Sequence, residues 1–236
     1  MERRRRSMAP MTTTKHALIA RGFIFLVAAA SCCFLAATSL AGAEPAAPAT
    51  SFTVAPGSKL WIEGDSTLHA YSSQATQVEA TAELDGALAA GSPDTRAAVA
   101  AGALKSLRVS VPVAGLKSGE SGLDKNLQKA MKADAAPVIR FTLEDYKTEE
   151  AKDGSLLVKA HGRLAVAGVE KDAVVEATCR FSPGGVDVTG AKDLLMSDFG
   201  IKPPVMMLGT IKTADKVVVR FALKLKASDA TAPKKP

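Results

Sequence analysis

Asp65, Ser66 and His69, within Gly64-Asp65-Ser66-Thr67-Leu68-His69, bring a carboxylate, a hydroxyl and an imidazole close together in the chain. These are the parts of a nucleophile–base–orienter triad. Their spacing argues against one. Side chains this close along a strand do not generally converge in triad geometry, and there is no Gly-x-Ser-x-Gly elbow. His69 reads more simply as a residue satisfied by a local backbone or carboxylate partner, the alternative being contact with a polar ligand head group. His161 lies far away in another polar-faced segment, and no His, Cys and carboxylate spacing suggests convergent ligands, so no metal is expected. Cys179 shares an alternating face with Ala177 and Phe181 and reads as a small buried hydrophobe. Asp198-Phe199-Gly200 matches one short kinase element without its companions, and no Gly-rich phosphate loop is present. An enzyme is not expected, nor a cofactor.

The bulk properties narrow the classes further. Arg3 to Arg6, Lys15 and Arg21 form a basic region, followed by an apolar run from Phe23 to Leu40 and the small residues Ala41-Gly42-Ala43. This is the pattern of a cleavable signal peptide over 1–43, with cleavage after Ala43, and it implies a periplasmic or secreted protein. An uncleaved anchor is the alternative reading, and Met1, Met8 and Met11 are all candidate starts. Cys32 lacks a good lipobox. Residues 1–43 carry six of the 30 Lys/Arg and one of the 24 Asp/Glu, which leaves 24 basic and 23 acidic groups in the remainder. So balanced a domain lacks the electrostatic footprint of a nucleic-acid binder. Cys32 and Cys33 leave with the signal, so Cys179 has no intramolecular disulfide partner.

The elements that must position these groups are nearly all β. After a linker at 44–51, the domain is expected over 52–226, with a disordered tail at 227–236. Leu60 and Ile62, then Leu68 and Ala70, then Val78, Ala80, Ala82 and Leu84 alternate with polar residues. The same period of two carries Leu107 to Val113, Leu156 to Val166, Val175 to Phe181 and Val219 to Leu225. Val186 and Val188 suggest a short strand after the turn Ser182-Pro183-Gly184-Gly185. Gly64-Asp65 signals a turn or bulge, and 86–102 is left between a loop and a short, poor helix. One amphipathic helix is expected after Ser121, which stands as N-cap with Asp124 completing a capping box; Leu123, Leu127, Ala130 and Met131 form its apolar stripe. Pro137 ends it and opens a strand with Ile139, Phe141 and Leu143 on one face and Arg140 and Thr142 on the other. About eight or nine alternating strands suit antiparallel sheets, in a sandwich or a closed barrel.

Four segments, taken in order, resemble the YceI-like family of exported, lipocalin-like barrels. They are Leu123-Asp124-x-x-Leu127 with Pro137-Val138-Ile139-Arg140-Phe141, Gly162 to Val169, Ser197-Asp198-Phe199-Gly200-Ile201, and Gly64 to His69. The resemblance covers roughly 52–226. The chain departs from the family pattern at the Ser-Thr-Leu-His opening, at Ala165 and in the Ala/Gly-rich 86–102. The resemblance implies a mainly β, eight-stranded antiparallel barrel with one helix packed across it and an elongated apolar interior that binds isoprenoid lipids; Phe199 is expected to plug one end of the barrel, with Gly200 permitting the turn there and Asp198 capping it. On this reading Val109, Val111, Ile139, Phe141, Leu164, Phe181 and Phe221 line the lumen, while His69 and Arg140 meet the head group. A quinone or fatty amide held in envelope stress defence is the nearest rival. A filled barrel acting as an envelope interaction protein is another, and a hydrolase using Ser66 and His69 the weakest. The expected partner is an isoprenoid or other apolar lipid, with transient membrane contact and a homodimer left open.

Overall fold

The computed structural model describes residues 49–85, 93–183, 185–206 and 210–228. The expected signal peptide, its cleavage point, Gly184 of the expected turn and the last eight residues lie outside them. In chain order the elements are β1 (Ala49–Val54), β2 (Lys59–Ser66), β3 (Tyr71–Ala75), β4 (Glu79–Asp85), α1 (Pro93–Ala100), β5 (Leu104–Pro112), β6 (Leu116–Lys117) and α2 (Ser121–Ala130). There follow β7 (Val138–Glu150), β8 (Leu156–Val166), β9 (Val169–Ser182), β10 (Gly185–Leu195), β11 (Val205–Met206) and β12 (Ile211–Ser228). Strand therefore begins inside the expected linker.

These segments make a closed, eight-stranded antiparallel barrel, as expected. β1 and β2 act as one stave broken at 55–58, β3 and β4 as one broken at 76–78, and β5 and β6 as one interrupted by the 3₁₀ turn Val113–Gly115. The breaks stay bonded. Ala55 N–H donates to the Lys224 carbonyl at 2.7 Å, and Thr76 N–H to the Gly115 carbonyl at 2.9 Å. β7, β8, β9 and β10 continue the wall, and β12 closes it by pairing with β10 on one edge and with β1 and β2 on the other. Closure leaves no unpaired sheet edge along the main staves.

Side-chain alternation decides which residues face inward, and in β4 and β8 it follows the sequence pattern residue for residue. Elsewhere it departs. β7 carries an irregularity between Leu143 and Asp145, opposite Gly162. A Cβ at Gly162 would run into the Thr142 carbonyl oxygen, so only glycine lets β8 pass the bulge. Past it the faces exchange. Tyr146 is half-buried, and its hydroxyl donates to the Val99 carbonyl of α1 at 2.8 Å and accepts from Leu104 N–H at 3.1 Å.

Three other expectations are corrected. Thr67 to Ala70 form a turn rather than strand, so Tyr71, Ser73 and Ala75 face in, in place of Leu68 and Ala70. β10 runs to Leu195, longer than its two valines suggested. In α2 the N-cap is Glu120, and Ser121 makes no capping bond. Asp124 instead reaches back to Ser118, accepting from its N–H and its hydroxyl at 2.7 Å each. The 86–102 stretch contains α1, whose Val99 is buried.

Two packed clusters close the barrel's ends. One gathers Val113, Leu116, Met131, Phe141, Leu164, Phe199 and Ile201 beneath α2. The other joins Phe52, Leu84, Val99, Leu156, Cys179 and Val186 beneath α1.

A candidate ligand cavity

Between the clusters runs a cavity of about 610 Å³. That is the size range of sites for small organic ligands, which are mostly apolar with a few polar groups. Val109 and Val111 from β5, Ile139 and Phe141 from β7, Leu164 from β8, Phe181 from β9 and Phe221 from β12 all stand in its wall. Each lies on the inward side of its strand's alternation. Leu123, Leu127 and Ala130 of α2 and Met131 just after it face it across one end, and Thr95 and Val99 of α1 close the other.

His69 also stands at the cavity's edge, in the β2–β3 turn. That turn is tied by Ser66, whose hydroxyl donates to the His69 carbonyl at 2.8 Å and accepts from the N–H groups of Leu68 and His69. His69 Nδ1 lies 2.8 Å from the Ala70 carbonyl, which makes Nδ1 the protonated nitrogen. Ser66 thus meets the backbone of His69, not its ring, and Asp65 accepts the Ser66 N–H at 2.8 Å. No nucleophile–base pair forms. The same end exposes Leu68 and Val205.

Arg140 is a correction. It is exposed on the outside of β7 and takes no part in the cavity wall, because its neighbours Ile139 and Phe141 point inward. Cys179 is buried in the wall, and burial pushes its thiol up to about 12, which withholds the thiolate a nucleophile needs. Phe199 is buried and Gly200 takes φ +64° at the end of the 3₁₀ turn Met196–Phe199, as its position suggested. Asp198 does not cap that turn. It pairs with Lys171 at 3.3 Å, and Asp215 of β12 takes the capping place, accepting Ser197 N–H at 2.8 Å and its hydroxyl at 2.5 Å.

Several polar groups in the wall were not read from the sequence. Tyr71, Ser73, Thr213 and Lys192 all face the cavity. Burial holds the Tyr71 phenol above its usual value. On the outside, the β7 bulge gathers ligand atoms of Glu144, His161 and Asp172 within 4.8 Å of one another. Spacing in the chain concealed that grouping. His161 lies 3.4 Å from Asp145 and 3.7 Å from Glu144, while Asp172 is occupied by Arg163 at 2.8 Å.

Three aspartates are clasped alike. Asp124, Asp153 and Asp215 each accept the N–H and hydroxyl of one serine (Ser118, Ser155 and Ser197), and Arg180 adds a bond to Asp153. The serine hydroxyl is the largest cause holding each carboxyl below its ordinary 3.8. Carboxyls lowered in the folded state stabilise it fully above their unfolded value and lose that contribution as pH falls through the folded one. Urea midpoints should therefore hold steady from pH 7 to about 4 and drop below it. The triple variant Asp124→Asn, Asp153→Asn, Asp215→Asn should start lower at pH 7 and lose less on acidification. An undiminished acid drop in that variant would place the dependence elsewhere.

Comparison with known proteins agrees with the architecture. A family model described as YceI-like domain matches residues 53–225. None of the curated proteins matches the chain by sequence. Among solved structures the fold is similar to BcnA of Burkholderia cenocepacia, at 16% identity and TM-score 0.52, covering 71% of this chain and 95% of that one. It is also similar to a polyisoprenoid binding domain from Saccharophagus degradans implicated in plant cell wall breakdown, at 13% identity and TM-score 0.56, covering 75% of this chain and 98% of that one.

Proposed function

The chain belongs to the YceI-like domain family, and from that premise we propose that it is a non-enzymatic lipid-binding protein whose barrel holds the apolar chain of an isoprenoid-type amphiphile. The observation that carries the reading is the cavity itself: about 610 Å³, walled chiefly by valine, leucine, isoleucine, phenylalanine and alanine. A chain insoluble in water gains about 0.8 kcal/mol for each methylene sheltered in such a space. A barrel serving only as an interaction scaffold would gain by filling that volume, since an unfilled interior forgoes packing contacts. The printed description of the Saccharophagus domain supports the ligand class. A quinone or fatty amide remains the nearest alternative occupant.

The basic and apolar pattern of 1–43 supports export to the periplasm or beyond, with the domain released after Ala43. Leu68 and Val205, exposed at the α2 end, suit transient contact with a membrane during loading. The deciding experiment is lipid extraction of the purified mature protein with mass spectrometry, run beside native mass spectrometry of the intact complex. One isoprenoid species per barrel is the expected result. A protein that purifies empty and stays empty when offered isoprenoids, quinones and fatty amides would overturn the reading.

A further inference from the structure

The inward face of β10 reads Val186, Val188, Gly190, Lys192 and Leu194. Lys192 is out of place there. A charged side chain against an apolar cavity costs free energy unless something offsets it. The surrounding architecture explains why the cost is tolerable. β9 and β10 pair only as far as Ala191 with Glu176. Lys192 is the first residue past that point, where the strands part and the 3₁₀ turn of Phe199 fills the split. It borders the lumen on one side and a shallow outer groove on the other, half-buried between them. A long aliphatic stem with its ammonium near water suits that position.

The acids around that groove are already engaged. Asp193 pairs with Lys216 at 2.7 Å, Asp198 with Lys171 at 3.3 Å and Asp172 with Arg163 at 2.8 Å. Among the described residues Lys192 has no ion-pair partner. A second, independent observation concerns Ser73, which faces the same cavity. It is 2% exposed, and its hydroxyl has no hydrogen-bond partner in the protein. Buried hydroxyls are normally satisfied, and leaving one unpaired is costly. An unpaired cation and an unpaired buried hydroxyl in one apolar wall are the complement of a ligand with oxygen acceptors.

Resting on the lipid-binding reading above, we infer that Lys192 is a specificity-determining residue that selects an acidic amphiphile, one whose apolar chain carries a carboxylate or a phosphate. Lys192 pairs with the acidic group. A charge-assisted bond is worth enough to discriminate an acid from the matching alcohol by about tenfold to a hundredfold.

The test uses one C20 isoprenoid chain with three heads: hydroxyl (geranylgeraniol), carboxylate (geranylgeranoic acid) and phosphate (geranylgeranyl phosphate). Offered together to the mature protein and read by native mass spectrometry, at least one acidic form should be retained over the alcohol by tenfold or more. Whichever acid leads identifies the head group. Lys192→Met should bring that preference within about threefold by weakening retention of the acidic forms, and Lys192→Arg should keep it. Equal retention of acid and alcohol by the wild type, or a preference that survives Lys192→Met, would overturn the inference. Alcohol binding reads the lumen alone. If it persists without head-group preference only the subsite fails, whereas if no form is taken up the lumen reading fails and the subsite with it.

Discussion

Ala160→Trp should leave a folded barrel that binds its lipid more than a hundredfold more weakly than the wild type. Ala160 is 7% exposed and points into the cavity from the middle of β8. An indole there would occupy space that a ligand chain needs. Excluding about four methylenes forfeits about 3 kcal/mol at ~0.8 kcal/mol each, which is over a hundredfold in affinity. The lumen has room for the ring, so the thermal midpoint should change little. Titration of the delipidated variant beside the wild type, with circular dichroism melts of both, measures the two expectations together. Unchanged affinity would mean that the lipid sits elsewhere than this cavity. Collapse of the fold would mean that the space around Ala160 is already packed.

Leu156→Ala should have the opposite profile, a large loss of stability. Leu156 is fully buried at the start of β8, in the cluster with Leu84, Cys179 and Val186 that closes the α1 end. Truncating a buried leucine in packed surroundings costs about 2–5 kcal/mol, because the space left behind is not refilled. That is a large share of the few kcal/mol by which a domain is stable. Val109→Ala, in the cavity wall, should cost less, about 1 kcal/mol, because part of its surface already faces open volume. Urea unfolding of the three ligand-free proteins gives the comparison. Equal losses at Leu156 and Val109 would indicate a uniformly packed interior, and the cavity would then need another explanation.

How far these features could be read from the chain depended on whether a residue's type agreed with its place. Val109 and Val111, Ile139 and Phe141, and the β8 series are apolar residues at inward positions, and simple alternation found them. The same alternation already set Arg140 opposite Ile139 and Phe141, so its proposed head-group role conflicted with its own strand pattern. Lys192 was hidden for the converse reason. In Thr189-Gly190-Ala191-Lys192-Asp193 a polar run conceals a strand, and only the pairing of β10 with β12 shows the lysine facing in. Ser73 was hidden because the Ser66 turn takes up Thr67 to Ala70 and resets the phase of β3. The β7 bulge likewise exchanged faces after Leu143, turning Tyr146 inward and bringing Glu144 and Asp145 up to His161. Turns and bulges carry the phase of a strand, and residue types mark them weakly.

β12 holds both edges of the wall. Ser228 pairs with Ser51, almost the full span of the described chain apart, while the same strand binds β10 and β2 along most of its length. A chain delivered from its amino end cannot complete this cylinder until its final stave arrives. Until then the outer edges of β1, β2 and β10 are open templates for pairing with other chains. Contacts so distant in sequence also slow the search, since the loop must close before any bond rewards it. The seam that makes the finished protein edge-free therefore sets the interval in which it is most prone to aggregate.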